Sequence, residues 1–210
     1  KRVGLLVAAF SEEQMKTVQQ LYRQGVDNGV CGMEICGAER IRVLEPKLNP
    51  DAIGGLFAPS GGIIEPYRFV FALAECAQRN GVEIRTGFEV TGAEPRRGHY
   101  RITSRAGNTV KATFVVNAAG LYADKVSTLF GAERFRIRPR KGEEYLLDRS
   151  SRAYPTRVLF PVPAKNSKGI LVIPTVEGTT MVGPTAEMVK RKDDAATGSE
   201  NLDTVFTHAK

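Results

Sequence analysis

The 210-residue chain holds no tryptophan, two histidines and three cysteines, and each scarcity closes off a class of chemistry. Cys31, Cys36 and Cys76 are spaced for neither a zinc ribbon nor a C-x-x-C redox pair. An odd, sparse set fits reduced thiols, mostly core filler, in a cytoplasmic protein. His99 falls in a hairpin approach and His208 in the tail, so neither imidazole stands in an apolar or basic setting that would tune it for proton transfer. No Ser–His–Asp spacing and no metal-ligand cluster stands out, so neither a catalytic residue nor a metal is assigned. A strand–GxGxxG–helix fingerprint with a downstream acidic residue is missing, as are internal repeats. No apolar run approaches the roughly 20 residues needed to cross a bilayer. Lys1 and Arg2 before the apolar run 3–10 imitate a signal peptide, but the run is short and leads into a capped helix. A buried strand is the better reading.

What is present is ordinary in bulk. Hydrophobic residues make up 42 % and charged residues 25 % of the chain, as in a typical globular protein, and the length supports a real core in one or two units. Thirty basic against 23 acidic residues leave a net charge of +7. The basic residues are dispersed, apart from 134–141 and 190–192, whereas a nucleic-acid binder concentrates them with interleaved aromatics. The excess therefore points to a small anionic substrate, to anionic cofactor phosphates or to acidic surface elsewhere in a larger protein.

Along the chain, residues 3–10 read as a continuous apolar strand. Ser11 and Gln14 follow as a capping box, and Met15, Val18, Leu21 and Tyr22 recur at helical spacing until Gly25, with Asn28-Gly29 as a turn. Residues 37–45 form a short helix stopped by Pro46. Residues 67–80 form an amphipathic helix with Val70, Leu73, Ala74 and Ala77 on one face. Strands are expected at 81–85 and 88–93, a hairpin at 100–105 and 109–111, and a further strand at 114–118. After Gly131 short strands at 136–138, 144–148, 158–162, 170–175 and 180–182, separated by Pro and Gly turns, predict an antiparallel sheet. Residues 186–210 read as a polar, partly frayed tail.

Phe114-Val-Val-Asn-Ala-Ala-Gly-Leu-Tyr-Ala-Asp124 is the most informative segment. A short apolar strand runs into a helix through Ala118, Ala119 and Gly120, which leave room for something large against the main chain, and a helix start favours an anion. A tight strand–helix turn of any α/β protein reads similarly. Arg138-Pro-Arg-Lys-Gly-Glu-Glu-Tyr145 presents cations beside a glycine, as an anion site or as a solvated basic edge. In Pro174-Thr-Val-Glu-Gly-Thr-Thr-Met-Val-Gly-Pro-Thr-Ala-Glu187, Glu177-Gly178 is a hairpin turn. Pro59-Ser-Gly-Gly-Ile-Ile-Glu-Pro66 lacks the first-turn Lys or Thr of a phosphate loop, so a cap at Glu65–Pro66 is the safer role.

Taken together these segments resemble, almost from end to end, the FAD-dependent oxidoreductases of the D-amino-acid-oxidase and glycerol-3-phosphate-dehydrogenase type. Residues 114–124 match their "VVNAAG-x-(Trp/Tyr)-(Ala/Ser)-(Asp/Glu)" signature, 138–145 their "P-x-(Arg/Lys)-G-E/Q-Y" strand and 174–187 their substrate-cavity hairpin. The resemblance is weakest at 94–112 and 190–210. It implies an α+β fold, with an antiparallel substrate-domain sheet and helices plus part of a FAD-binding α/β (Rossmann-like) domain. Residues 1–53 would be a substrate-domain part, 54–130 part of the FAD-binding domain, 131–190 the substrate sheet and 191–210 a truncated tail.

FAD is the implied cofactor, with Val90, Asn117, Ala118, Ala119, Gly120, Lys141 and Gly142 as its contacts and Arg140, Thr185 and Glu187 on the substrate side. Tyr67 and Arg68 are further cavity-facing candidates. The implied parent is a dehydrogenase or oxidase for glycerol 3-phosphate or a 2-hydroxy acid. It would be cytoplasmic, without a transmembrane segment or nucleic-acid partner, and open to peripheral membrane contact. This chain would be an internal, inactive piece of it. An amino-acid or amine oxidase, and a non-catalytic module that binds an acidic partner through 134–141, are the alternatives. A piece of a larger flavoenzyme should also leave raw apolar surface along 114–118.

Overall fold

The computed structural model describes residues 1–150, 154–163 and 169–208. In chain order the elements are β1 (Leu5–Ala9), α1 (Glu12–Asp27), β2 (Glu34–Gly37), α2 (Ala38–Leu44), β3 (Gly54–Ala58), α3 (Pro66–Arg79), β4 (Val90–Arg96), β5 (His99–Ser104) and β6 (Thr109–Ala112). A 3₁₀ turn (Gly120–Tyr122), α4 (Ala123–Leu129), β7 (Arg140–Lys141), β8 (Tyr145–Leu147), β9 (Val158–Pro161), β10 (Leu171–Pro174), β11 (Thr180–Gly183), β12 (Glu187–Met188) and α5 (Ser199–His208) follow. The chain divides into two compact units. The first comprises residues 1–69, 141–187 and 195–210, the second residues 70–140 and 188–194.

The first unit is built on a seven-stranded sheet of order β2-β3-β1-β9-β10-β11-β8. Ladders are antiparallel except β1 with β9, where Leu5 faces Val158 and Ala8 faces Pro161 in parallel. A parallel pair needs a long crossover, and here everything between residues 10 and 157 supplies it. The sheet is therefore mixed rather than purely antiparallel. The start of α1 follows the expected capping box: Ser11 Oγ accepts from Gln14 N at 3.2 Å, and Gln14 Oε1 accepts from Phe10 N at 2.6 Å. Val18 is fully buried on Val7, Ala9 and Leu56. Leu6 and Cys36 pack with Ile41 and Leu44 of α2 and with Ala52. Each such aliphatic burial stabilises by about 1.5–3 kcal/mol.

Two expectations for α1 and its surroundings change. The helix runs through Gly25 to Asp27, because a Cβ at position 25 would collide with Met33; the glycine serves close packing rather than termination. Strand β2 was not expected, since a four-residue edge shows no legible alternation. The border expected at 53/54 also differs from the compact-unit border at 69/70, because β3 pairs along its whole length with β1.

The tail is also more ordered than expected. Residues 199–208 form α5 with Val205 fully buried. Ala209 and Lys210, at the end of the expected tail, lie outside the described residues, as do 151–153 and 164–168.

The second unit holds the antiparallel meander β4-β5-β6, with Glu94 opposite Arg101 and Ile102 opposite Val110, together with most of α3 and all of α4. Tyr100 meets Phe130 edge-to-face, centroids 5.4 Å apart. The strands expected at 81–85 and 114–118 join no ladder, and 136–138 likewise forms no strand. A strand is defined by a neighbour, and none of the described residues supplies one. The apolar surface expected at 114–118 is present: Phe114 is 88 % and Val116 89 % exposed. Val82, Ile84 and the α3 residues Val70, Phe71 and Leu73 are exposed as well.

Candidate functional site

In the second unit, the segment 117–124 folds around its own asparagine. Asn117 Nδ2 donates to Ala123 O at 2.8 Å, and Asn117 Oδ1 accepts from Ala119 N at 3.3 Å. The side chain assigned to the cofactor thus shapes the bend. Ala118, Ala119 and Gly120 are exposed on its outside. Gly120 has φ +54°, and a Cβ there would meet nothing within 4 Å, so the main chain is open to a large flat partner. The expected anion-favouring helix start is corrected. A 3₁₀ turn intervenes, α4 has only seven residues, and the carboxylate of Asp124 accepts from Lys125 N at 2.8 Å within its first turn.

Asp124 is a residue whose role sequence reasoning missed. It is buried, its Oδ2 accepts from Ile137 N at 3.0 Å, and its Oδ1 also accepts from Lys192 Nζ. The Lys192 ammonium and then the Ile137 amide hold its carboxyl down at about 2. Lys125 and Lys192 both face the Tyr122 ring, at 5.1 and 5.6 Å from its centroid. Val90, half-buried at the start of β4, pairs with Ser104 beside a register shift.

In the first unit, residues 141–144 lie back to back with the 183–185 corner, which carries a cis Gly183–Pro184 bond. A Cβ on Gly142 would sit 2.7 Å from Pro184 Cβ. Thr185 N donates to Glu143 O at 3.1 Å, and Glu143 N donates to Thr185 Oγ1 at 3.0 Å. Lys141 Nζ contacts Glu143 Oε1 at 2.9 Å and donates to Ala196 O at 2.7 Å. Glu143, nearly fully buried, also accepts from Gly198 N at 2.8 Å and Asn201 Nδ2 at 2.9 Å. Gly198, Asn201 and Lys141, in that order of weight, pull its carboxyl down to about 2. Glu187 accepts from the same Asn201 amide at 2.8 Å. Lys141, Gly142, Thr185 and Glu187 are therefore brought together, but their polar groups hold one another. Arg140, the last residue of the second unit's longer stretch, is exposed.

Glu143 and Asn201 were likewise missed, since residues 58 apart in sequence give no spacing signal. Glu65 caps α3 as expected, accepting from Tyr67 N at 3.1 Å. Tyr67 is exposed, and Arg68 reaches Glu177 at 3.4 Å. His99 Nδ1 faces Arg97 O, and His208 Nδ1 faces Thr204 O; neither meets a carboxylate. Two cysteines, Cys31 and Cys76, are exposed, so only Cys36 is core filler.

Residues 1–210 match the DAO family model, described as FAD dependent oxidoreductase. The chain belongs to this family. It is 41 % identical over its whole length to a glycerol 3-phosphate dehydrogenase of Caloramator mitchellensis, covering 44 % of that protein. It is 30 % identical to the mitochondrial L-2-hydroxyglutarate dehydrogenase of Bos taurus, over 92 % of this chain and 44 % of that one. Among solved structures it superimposes on the dithionite-reduced L-alpha-glycerophosphate oxidase of Mycoplasma pneumoniae with FAD bound. That match has TM-score 0.91 and 27 % identity, over 99 % of this chain and 56 % of that one. The chain spans about half the length of these relatives. The α+β class with a helix-flanked sheet stands as expected, and FAD is the family's cofactor. The open main chain at 118–120 fits such a group, because nothing of the second unit fills the outer side of the bend.

Proposed function

We propose that this chain is part of an FAD-dependent dehydrogenase or oxidase acting on glycerol 3-phosphate or a related anionic 2-hydroxy acid. The observation that carries the reading is the Asn117-braced bend, whose positive-φ glycine leaves main chain open to a large flat cofactor. FAD, when bound, accepts the hydride equivalent lost by the substrate's alcohol carbon. Val90 and residues 117–120 are assigned to the nucleotide part. Gly142 is assigned to a flavin-side approach, with Lys141 as its support, because the Lys141 charge is compensated by Glu143.

Arg140 is assigned to the anionic substrate, its exposed guanidinium suiting a carboxylate or phosphate. Thr185 and Glu187 are assigned to the substrate side through their fixed positions in the corner. The catalytic base is assigned to none of the residues described. No described helix is long and apolar enough to cross a membrane; the proposal places the protein in the cytoplasm, with peripheral membrane contact open to it and no nucleic-acid partner.

The test is anaerobic mixing of the full-length parent with glycerol 3-phosphate, L-2-hydroxyglutarate, glycine and proline, read by flavin absorbance. Bleaching by one of the first two is expected. Bleaching by the amino acids alone would replace this reading with an amino-acid oxidase, and no bleaching by any would overturn it.

A further inference from the structure

Resting on the assignment of FAD to residues 117–120, we propose that Lys192 is a positioning residue that sets the shape of that bend. The bend is fastened at its entry by Asn117, as described. Its exit runs through Tyr122 and Asp124, and Lys192 touches both. Its ammonium pairs with Asp124 Oδ1, with side chains only 15 % and 10 % exposed, and stands 5.6 Å from the Tyr122 ring.

Lys192 comes from a segment 68 residues further along the chain. That segment is itself anchored in the second unit, where Val189 N donates to Pro139 O at 3.1 Å. Pro139 lies just beyond Ile137, whose amide meets the other oxygen of Asp124 at 3.0 Å. A remote strap and the extra-helical stretch around Ile137 therefore grip one carboxylate from two sides. That carboxylate sits four residues after the glycine on which the nucleotide is placed.

Removing the Lys192 ammonium leaves Asp124 two backbone donors, from Lys125 and Ile137, and leaves Lys125 on the Tyr122 ring. The fold should persist while the exit of the bend loosens. A ligand that selects the ordered bend would then bind more weakly by the population of that bend lost.

The experiment uses the full-length parent stripped of FAD and titrated with FAD under flavin-fluorescence detection, alongside the melting temperature of the apoprotein. Lys192→Met should weaken FAD binding about tenfold with little change in apoprotein melting. Lys192→Arg should restore affinity, and Lys190→Met, an exposed neighbour, should match wild type. Equal affinity of wild type and Lys192→Met would overturn the inference. So would a weakening that follows a matching fall in melting temperature and that arginine fails to rescue. A wild-type parent that binds no FAD would overturn the nucleotide assignment itself.

Discussion

A methyl group at position 142 would sit 3.1 Å from Thr185 O and 2.7 Å from Pro184 Cβ, the latter closer than real carbon contacts come. Gly142→Ala should therefore destabilise the 210-residue chain by about 1–3 kcal/mol, measured by chemical denaturation; an unchanged midpoint would show that the corner is looser than described. Thiol chemistry gives a second residue-scale check. Burial, and then the Glu34 carboxylate, push the Cys36 thiol up to about 11, while Cys31 and Cys76 are exposed. At neutral pH a thiol reagent should label two cysteines fast and Cys36 only on unfolding. At this scale the sequence was most legible where one residue decides its own geometry, as at Ser11 and Gly120. It was least legible where a side chain is defined by a partner far away, as at Asp124, Glu143 and Lys192. Asn117 falls between: the motif marked it, but its amide reaches the main chain of the bend rather than standing free.

Among the elements, α5 depends on a charge it does not contain. Glu143 receives Gly198 N at the helix start and Asn201 Nδ2 one turn in, so its ionised form docks the helix on which Val205 is buried. Its carboxyl lies below the ordinary 4.5, at about 2. The stabilisation is thus complete above about pH 4.5 and lost as pH falls toward 2. Acid titration followed by hydrogen exchange should show α5 opening within that window, and Glu143→Gln should remove most of the dependence. The composition of 191–210 hid this helix, because its apolar signal is one short turn, Leu202, Val205 and Phe206, in an otherwise polar stretch. The two unpaired segments show the converse. Their apolar composition read as strands at 81–85 and 114–118, but a ladder also requires a neighbouring strand, which no local pattern reports.

At the scale of the molecule, exposure of Phe114, Val116, Val82, Ile84 and the α3 apolar residues in the second unit is more than scattered surface hydrophobes usually provide. The isolated 210-residue chain should bind a hydrophobic dye strongly. A Phe114→Ser/Val116→Ser double variant should lower that binding with little change in melting temperature, since both side chains are almost fully exposed. Undiminished dye binding would place the sticky surface elsewhere. The isolated chain is also expected to purify without flavin colour. The interleaving of the two units is a long-range property: β1 and β9 are joined in register across some 150 residues, which no window along the chain reveals. The family resemblance, carried by 114–124 and 138–145, reached further than periodicity did.

The central claim concerns a place on the main chain. Amide hydrogen exchange of the full-length parent, with and without saturating FAD, should show slowed exchange concentrated at residues 117–121 and around Val90. FAD that binds while exchange at 117–121 stays as fast as in the apoprotein would contradict the assignment.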